Sequence, residues 1–367
     1  MVTRHPAQGA FVKHDTRPGR LAAMMGLALT TAVTASEPGL RLAPDALRQS
    51  LEPPTESFSV HKATPHRLVT PDDTALPLRR WGPAPEAGES PEAVVLGLHG
   101  FNDHAGAFVA TAAALVPEGI AVYAYDQRGF GATGSRGDWP GTGALVSDAR
   151  WALGSLQRRY PDTPVVVMGL SMGAAVATLA LDDAPTLHPE AAVLVGPAFW
   201  GRSAMPGYQR FALWAAERMA PELRVSNEWI GIEPSDDPAV LQALEADPRW
   251  IGAPTLEAIA GVSDLMDQAL RAASGFNGPA TLIQYGTADE VIPPAAVCAL
   301  LRALPDDAPW RTALYPEGYH MLTRYTGAAA VLADIRRFIA DPDAALPSGE
   351  GLEPAAARRA VCQSAGG

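Results

Sequence analysis

Short runs of consecutive apolar residues, each closed by glycine or a turn residue, recur through the middle of the chain and alternate with stretches of helical spacing. Ala93–Gly100 (AVVLGLHG), Ile120–Asp126 (IAVYAYD), Pro164–Gly169 (PVVVMG), Ala191–Gly196 (AAVLVG), Ala280–Gly286 (ATLIQYG) and Trp310–Gly318 (WRTALYPEG) have the length and character of strands buried on both faces. Between them, AFVATAAALVPEG, GTGALVSDARWALGSLQRRYP, the alanine-rich segment after Ser171, and AAAVLADIRRFIAD place apolar residues every three to four positions and predict helices. Shorter extended candidates, HRLVT and LPLRRW, precede the series. Alternation of this kind predicts a doubly wound α/β domain, a mostly parallel sheet with helices on both faces.

One interval breaks the rhythm. From Pro197 to Gly278 the chain runs roughly eighty residues where a crossover needs about a dozen. It contains helical stretches such as YQRFALWAAERMA and DPAVLQALEAD, together with Trp200, Trp214, Trp229 and Trp250. We expect a helical lid over 198–278, inserted after the sixth core strand and dividing the core into 65–197 and 279–343. The lid aromatics fit an apolar acyl pocket and plain core packing about equally well. Residues 344–367 read as a loose tail, and 1–64 as a leader with a Pro-rich, polar arm.

Within the leader, Leu21–Ala35 (LAAMMGLALTTAVTA) has the length of a signal-peptide hydrophobic region, and Val33-Thr34-Ala35 could be a cleavage site. A signal peptide over 1–35 and an exported, periplasmic protein are therefore expected ahead of a cytoplasmic one with Met24 or Met25 as its start. The net charge of -12 argues against a nucleic-acid partner, which would need clustered Lys and Arg. Two cysteines, Cys298 and Cys362, are too few for a disulfide framework or a structural zinc site. One bridge is possible in an exported protein, but Cys298 in AAVCALLRALP reads first as a small core hydrophobe.

Candidate chemistry centres on Gly169-Leu170-Ser171-Met172-Gly173, the only G-x-S-x-G in the chain, set between a buried strand and a helix. That is the context a nucleophile elbow requires. The flanking Gly169 and Gly173 would admit close crossing of strand and helix, although Ser171 could also be a helix N-cap. A serine nucleophile needs a base oriented by an acid, in the chain order serine, acid, histidine. Seven of the eight histidines precede position 189, so His320, in PEGYHML beyond the last strand, is the eligible base. Asp289, in YGTADEVIP directly after a strand, is the favoured acid, with Glu290 its nearest rival; Asp264 and Asp267 fall in the lid. Oxyanion donors are expected from the backbone N–H groups of Met172 and Phe101, with Gly100 permitting close approach. His99 and His104 lack the partner spacing of a metal site and read as hydrogen-bonded supports of that loop.

Taken together these segments resemble the α/β-hydrolase superfamily, and within it the monoacylglycerol lipase and lysophospholipase-like group, also placed with the S33 serine peptidases. HGFNDHAGAF is similar to that group's oxyanion loop, YDQRGFGATG to its D-x-R-G-x-G-x-S segment, GLSMGA to its elbow, and GTADEVIP and GYH to its acid and base loops. The resemblance covers roughly Thr70 to Asp341. It implies the α/β-hydrolase fold, hydrolysis of monoacylglycerol- or lysophospholipid-type esters through an acyl-enzyme on Ser171, no cofactor or metal, and transient membrane-surface contact through the lid. By the same resemblance Asp126, Arg128, Gly129 and Gly131 shape the loop after the fourth strand. Asn102 and Asp103 stand where glycine and glutamate are usual, and Thr133 where serine is usual. Peptidase, acyltransferase or cofactor-free perhydrolase chemistry of the same fold is the alternative, and a non-catalytic binding member a further one.

Overall fold

Nine strands hydrogen-bond side by side in the order β1-β2-β4-β3-β5-β6-β7-β8-β9. They are β1 (Arg67–Val69), β2 (Ala75–Trp81), β3 (Ala93–Leu98), β4 (Ile120–Tyr125), β5 (Val165–Leu170), β6 (Ala191–Val195), β7 (Ala280–Gly286), β8 (Trp310–Tyr315) and β9 (Gly351–Leu352). Strands β3 to β8 are mutually parallel, while β1, β2 and β9 pair antiparallel at the two edges. The computed structural model describes residues 67–83, 89–226 and 233–364. The leader and arm expected over 1–64, and Trp229 of the lid, lie outside the described residues.

The apolar runs are continuous because both sides of each strand are covered. In β3, Val94 and Leu96 join one core cluster and Val95 the other. The first cluster is completed by α2 (Thr142–Arg159), α3 (Met172–Leu181), α6 (Leu256–Ala273) and α7 (Pro294–Ala303), the second by α1 (Val109–Leu115) and α8 (Ala328–Ala340). This is the doubly wound architecture that the alternation predicts.

Two boundaries differ from expectation. The insertion after β6 carries α4 (Gly207–Met219) and α5 (Pro238–Ala246), but α6, within the interval assigned to the lid, is a core helix. It packs along α3, with Leu265, Ala269 and Ala273 wholly buried. An eighty-residue interruption still has to return to the sheet, and α6 is the crossover helix that does so. Nor are residues 344–364 a loose tail; 365–367 lie outside the described residues. Leu346 is buried, β9 extends the sheet beside β8, and α9 (Pro354–Ser364) lies against α7, burying Ala357 and Val361. Cys362 of α9 forms a disulfide with Cys298 of α7, so Cys298 is both a buried residue and half of a bridge. Arg358 donates to the carbonyls of Leu301 and Leu304 at 2.6 and 2.7 Å, closing the carboxyl end of α7. The tail reads as loose because the described part of this helix buries only Ala357 and Val361, too few apolar positions to leave a strong periodic signal.

Candidate active site

At the carboxyl end of β5 the chain turns abruptly into α3, and Ser171 occupies the turn with φ 52° and ψ -114°. A positive φ in a non-glycine residue costs about 1–3 kcal/mol and persists only where its surroundings enforce it. Here β5 is paired on both sides by β3 and β6, and the Ser171 N–H donates to Val195 O at 2.9 Å. The two glycines of the motif are required by packing. A Cβ on Gly169 would lie 2.4 Å from Gly173 O, and one on Gly173 would lie 2.0 Å from Leu98 O. Ser171 does sit at the N-cap position of α3, but its side chain makes no capping bond.

Its hydroxyl instead meets His320 Nε2 at 3.0 Å, and His320 Nδ1 meets Asp289 Oδ2 at 2.8 Å. Ser171, Asp289 and His320 thus come together from three loops at one end of the sheet. Asp289 is buried, and its second oxygen accepts from the N–H groups of Val291 and Ile292, each at 2.8 Å. The rival Glu290 is exposed. With both Asp289 oxygens acting as acceptors, His320 Nδ1 must carry a proton, which leaves Nε2 as the acceptor for the Ser171 hydroxyl. The carboxylates that the sequence assigns to the lid lie on the core helix α6 and are engaged elsewhere: Asp264 pairs with Arg202, and Asp267 accepts from the Ser203 N–H.

The loop after β3 lies alongside. A Cβ on Gly100 would stand 3.3 Å from Ser171 Cβ, so only glycine lets the backbone run this close without displacing the serine. The Gly100 carbonyl accepts from His99 Nδ1 at 2.8 Å and from the Asp103 N–H at 3.2 Å. Because the peptide is trans and planar, the Phe101 N–H points away from those partners. The Met172 N–H opens α3 and therefore has no acceptor within the helix. Burial pushes the His99 imidazole below its ordinary pKa and keeps it neutral, so its Nε2 can accept from the Gln127 N–H at 2.9 Å. His99 thereby ties the loop after β3 to the loop after β4.

In that second loop, Asp126 accepts from the N–H groups of Ala105 and Ala132, both at 2.8 Å, and Arg128 grips Asp148 through Nε and Nη2. Gly129 and Gly131 both have positive φ, and a Cβ on Gly131 would collide with the Asp126 carboxylate. Thr133 donates its hydroxyl to Phe130 O.

Several neighbours of the site carry no signal in the sequence. Asp103 pairs with Arg324, 221 positions away, and His104 Nε2 lies 2.8 Å from Asp247 Oδ2 in the insertion, 143 positions away. His104 is a hydrogen-bonded loop residue, and its partner is an aspartate that nothing local distinguishes from a surface residue.

A family model described as serine aminopeptidase, S33, matches residues 89–325. The monoacylglycerol lipase of Mycolicibacterium smegmatis is 29% identical over 255 residues, which cover 68% of this chain and 88% of that lipase. Among solved structures, a soluble variant of the monoglyceride lipase from Saccharomyces cerevisiae, in complex with a substrate analogue, superposes with a TM-score of 0.62 at 18% identity; the match covers 77% of this chain and 97% of that one. The Paleococcus ferrophilus monoacylglycerol lipase gives a TM-score of 0.58 at 21% identity, covering 72% and 98% of the two chains. At these identities the solved structures bear on the fold, which is that of α/β-hydrolases.

Proposed function

The chain belongs to the serine aminopeptidase S33 family of α/β-hydrolases, and from that premise we propose that it hydrolyses carboxylic esters of lipid type, such as monoacylglycerols or lysophospholipids, through an acyl-enzyme on Ser171. The observation that carries this reading is the continuous hydrogen-bonded line from Asp289 through His320 to a serine held out of its capping role. His320 Nε2 takes the hydroxyl proton as Ser171 Oγ bonds to the ester carbonyl carbon. The carbonyl π pair moves onto oxygen, where the N–H groups of Phe101 and Met172 receive it. The oxyanion collapses, the ester C–O bond breaks, and the leaving alcohol takes its proton from His320. Water repeats the sequence on the acyl-enzyme. Asp289 keeps the imidazole in the tautomer this requires and stabilises the imidazolium that forms.

A fluorophosphonate probe tests the assignment directly. Mass mapping is expected to place one adduct on the peptide containing Ser171, and folded protein without that adduct overturns the reading. Rates on esters of graded acyl length, a monoacylglycerol, a lysophospholipid and aminoacyl amides then define the substrate. Faster turnover of medium or long acyl chains than of acetate is expected. Turnover of amides alone would move the assignment to a peptidase.

Helix α4 supports contact with a lipid surface. Tyr208, Phe211, Trp214 and Met219 are exposed on it, with 84% of Met219 accessible, and Arg210 and Arg218 are interspersed among them. Apolar side chains mixed with arginines suit an interface of acyl chains and anionic headgroups. Co-sedimentation with vesicles of mixed zwitterionic and anionic lipid is expected, and should weaken in a Phe211→Asp, Met219→Asp variant. Wild-type protein that stays in the supernatant overturns this part. We also infer that the protein works in an oxidising compartment, in keeping with the Cys298–Cys362 bridge and the signal-like segment before residue 36.

A further inference from the structure

The insertion stands on two loops of the site. On the amino-terminal side of α5, Pro234 O accepts from the Met321 N–H at 2.8 Å, Ser235 Oγ donates to Arg324 O at 2.7 Å, and Asp236 accepts from the Thr326 N–H at 2.9 Å. These contacts fasten the chain just after His320. On the other side of α5, Asp247 receives His104 Nε2 at 2.8 Å, and the Ile251 N–H donates to Asn102 O at 3.0 Å. These fasten the residues just after Phe101. The nine-residue helix α5, about 14 Å long, is thus a strap between the base loop and the oxyanion loop, which Asp103 and Arg324 also join directly.

The carboxyl end of this strap is the more specifically built. His104 Nδ1 accepts from the Gly106 N–H at 3.0 Å, so Nε2 carries the proton it gives to Asp247. Both side chains are buried. Burial raises the Asp247 carboxyl, but the hydrogen bond from His104, with help from Arg249, outweighs it and holds the pKa at about 2. The other oxygen of Asp247 accepts from the Arg249 N–H at 2.8 Å, which sets the carboxylate before His104 meets it. On the loop side, Asn102 has φ 66°, a left-handed conformation that a free loop would tend to leave.

We propose that Asp247 is a positioning residue for ester hydrolysis: by fixing His104 it holds the strained turn from Gly100 to His104, and with it the Phe101 N–H, at the oxyanion position. The inference rests on the serine-hydrolase reading above. Losing one oxyanion donor slows an acyl transfer about 10²–10³-fold, and a misplaced donor loses part of that. Asp247→Ala and His104→Ala are therefore each expected to lower kcat roughly 10- to 100-fold. The rate of fluorophosphonate labelling should fall in parallel, because the phosphoryl oxygen uses the same donors. KM should stay within about threefold, since ground-state binding does not depend on them.

The double variant should be no slower than the slower single, because the two side chains act as a unit. Asp247→Asn, with the same volume and one acceptor oxygen, should show the same signature at smaller size, and it serves where the alanine variant does not fold. Rates are taken per labelled serine in protein whose cooperative unfolding is intact. An unchanged kcat with a lowered Tm overturns the proposal and leaves Asp247 a structural fastening. Losses that multiply in the double variant, or that appear in KM alone, overturn it as well. A wild-type protein with no adduct on Ser171 would instead refute the serine-hydrolase reading, so the two failures are distinguishable.

Discussion

Asp289→Asn is expected to slow ester hydrolysis about 10⁴-fold while leaving the fold intact. One oxygen of Asp289 accepts from two backbone N–H groups, Val291 and Ile292, and an asparagine carbonyl satisfies that pair best. Its amide nitrogen would then face His320 Nδ1, now 2.8 Å from a carboxylate oxygen. A donor at that point requires Nδ1 to be the acceptor, which moves the imidazole proton to Nε2. That atom, 3.0 Å from Ser171 Oγ, would offer a proton where it has to take one. The ring would stay in place in the wrong tautomer. Ser171→Ala, which removes the attacking atom itself, is expected to cost on the order of 10⁶-fold in kcat. Steady-state rates on a soluble short-chain ester measure both. An Asp289→Asn loss of less than tenfold would show that the imidazole is oriented by something else.

The second large effect concerns stability. Replacing Cys298 and Cys362 by serine is expected to cost about 4 kcal/mol, since the bridge joins residues 64 positions apart and its removal frees that loop in the unfolded chain. Urea unfolding extrapolated to water, each protein with its own slope, measures the loss, because freeing the loop also makes the unfolded chain less compact and raises the slope. Below about 1 kcal/mol, the packing of Ala357 and Val361 and the hydrogen bonds of Arg358 would be holding α9 without the bridge. The bridge lies in a helix pair, not in the loops around Ser171, so kcat per labelled serine in the surviving folded protein should hold.

Much of this molecule is legible locally. A strand buried on both faces needs apolar residues at successive positions, and Val165–Leu170 or Ala191–Val195 can hardly be read otherwise. The elbow is legible because Gly169 and Gly173 answer a steric demand within five residues of chain. His320 and Asp289 are reached by elimination and by chain order, both properties of a linear text.

Less legible are elements whose reason lies across the fold. Leu256–Ala273 has helical spacing, but only its contact with α3 makes it a crossover helix and not part of a lid. The last helix, α9, buries small residues whose weak periodicity resembles that of a linker until a facing helix supplies the partner surface and the second cysteine.

The sequence by itself determined the six parallel strands β3 to β8, most of the helices between them and the three loops that meet at the sheet's carboxyl end, because these follow from periodicity and from steric rules acting over a few residues. The tertiary structure alone decided which distant charged side chains serve that end. Asp247 reaches His104 and Arg324 reaches Asp103 across 143 and 221 positions of chain. A charged residue carries no local mark of whether it will meet water or a buried partner. The difference arises only when folding removes the water and leaves one partner within hydrogen-bonding distance.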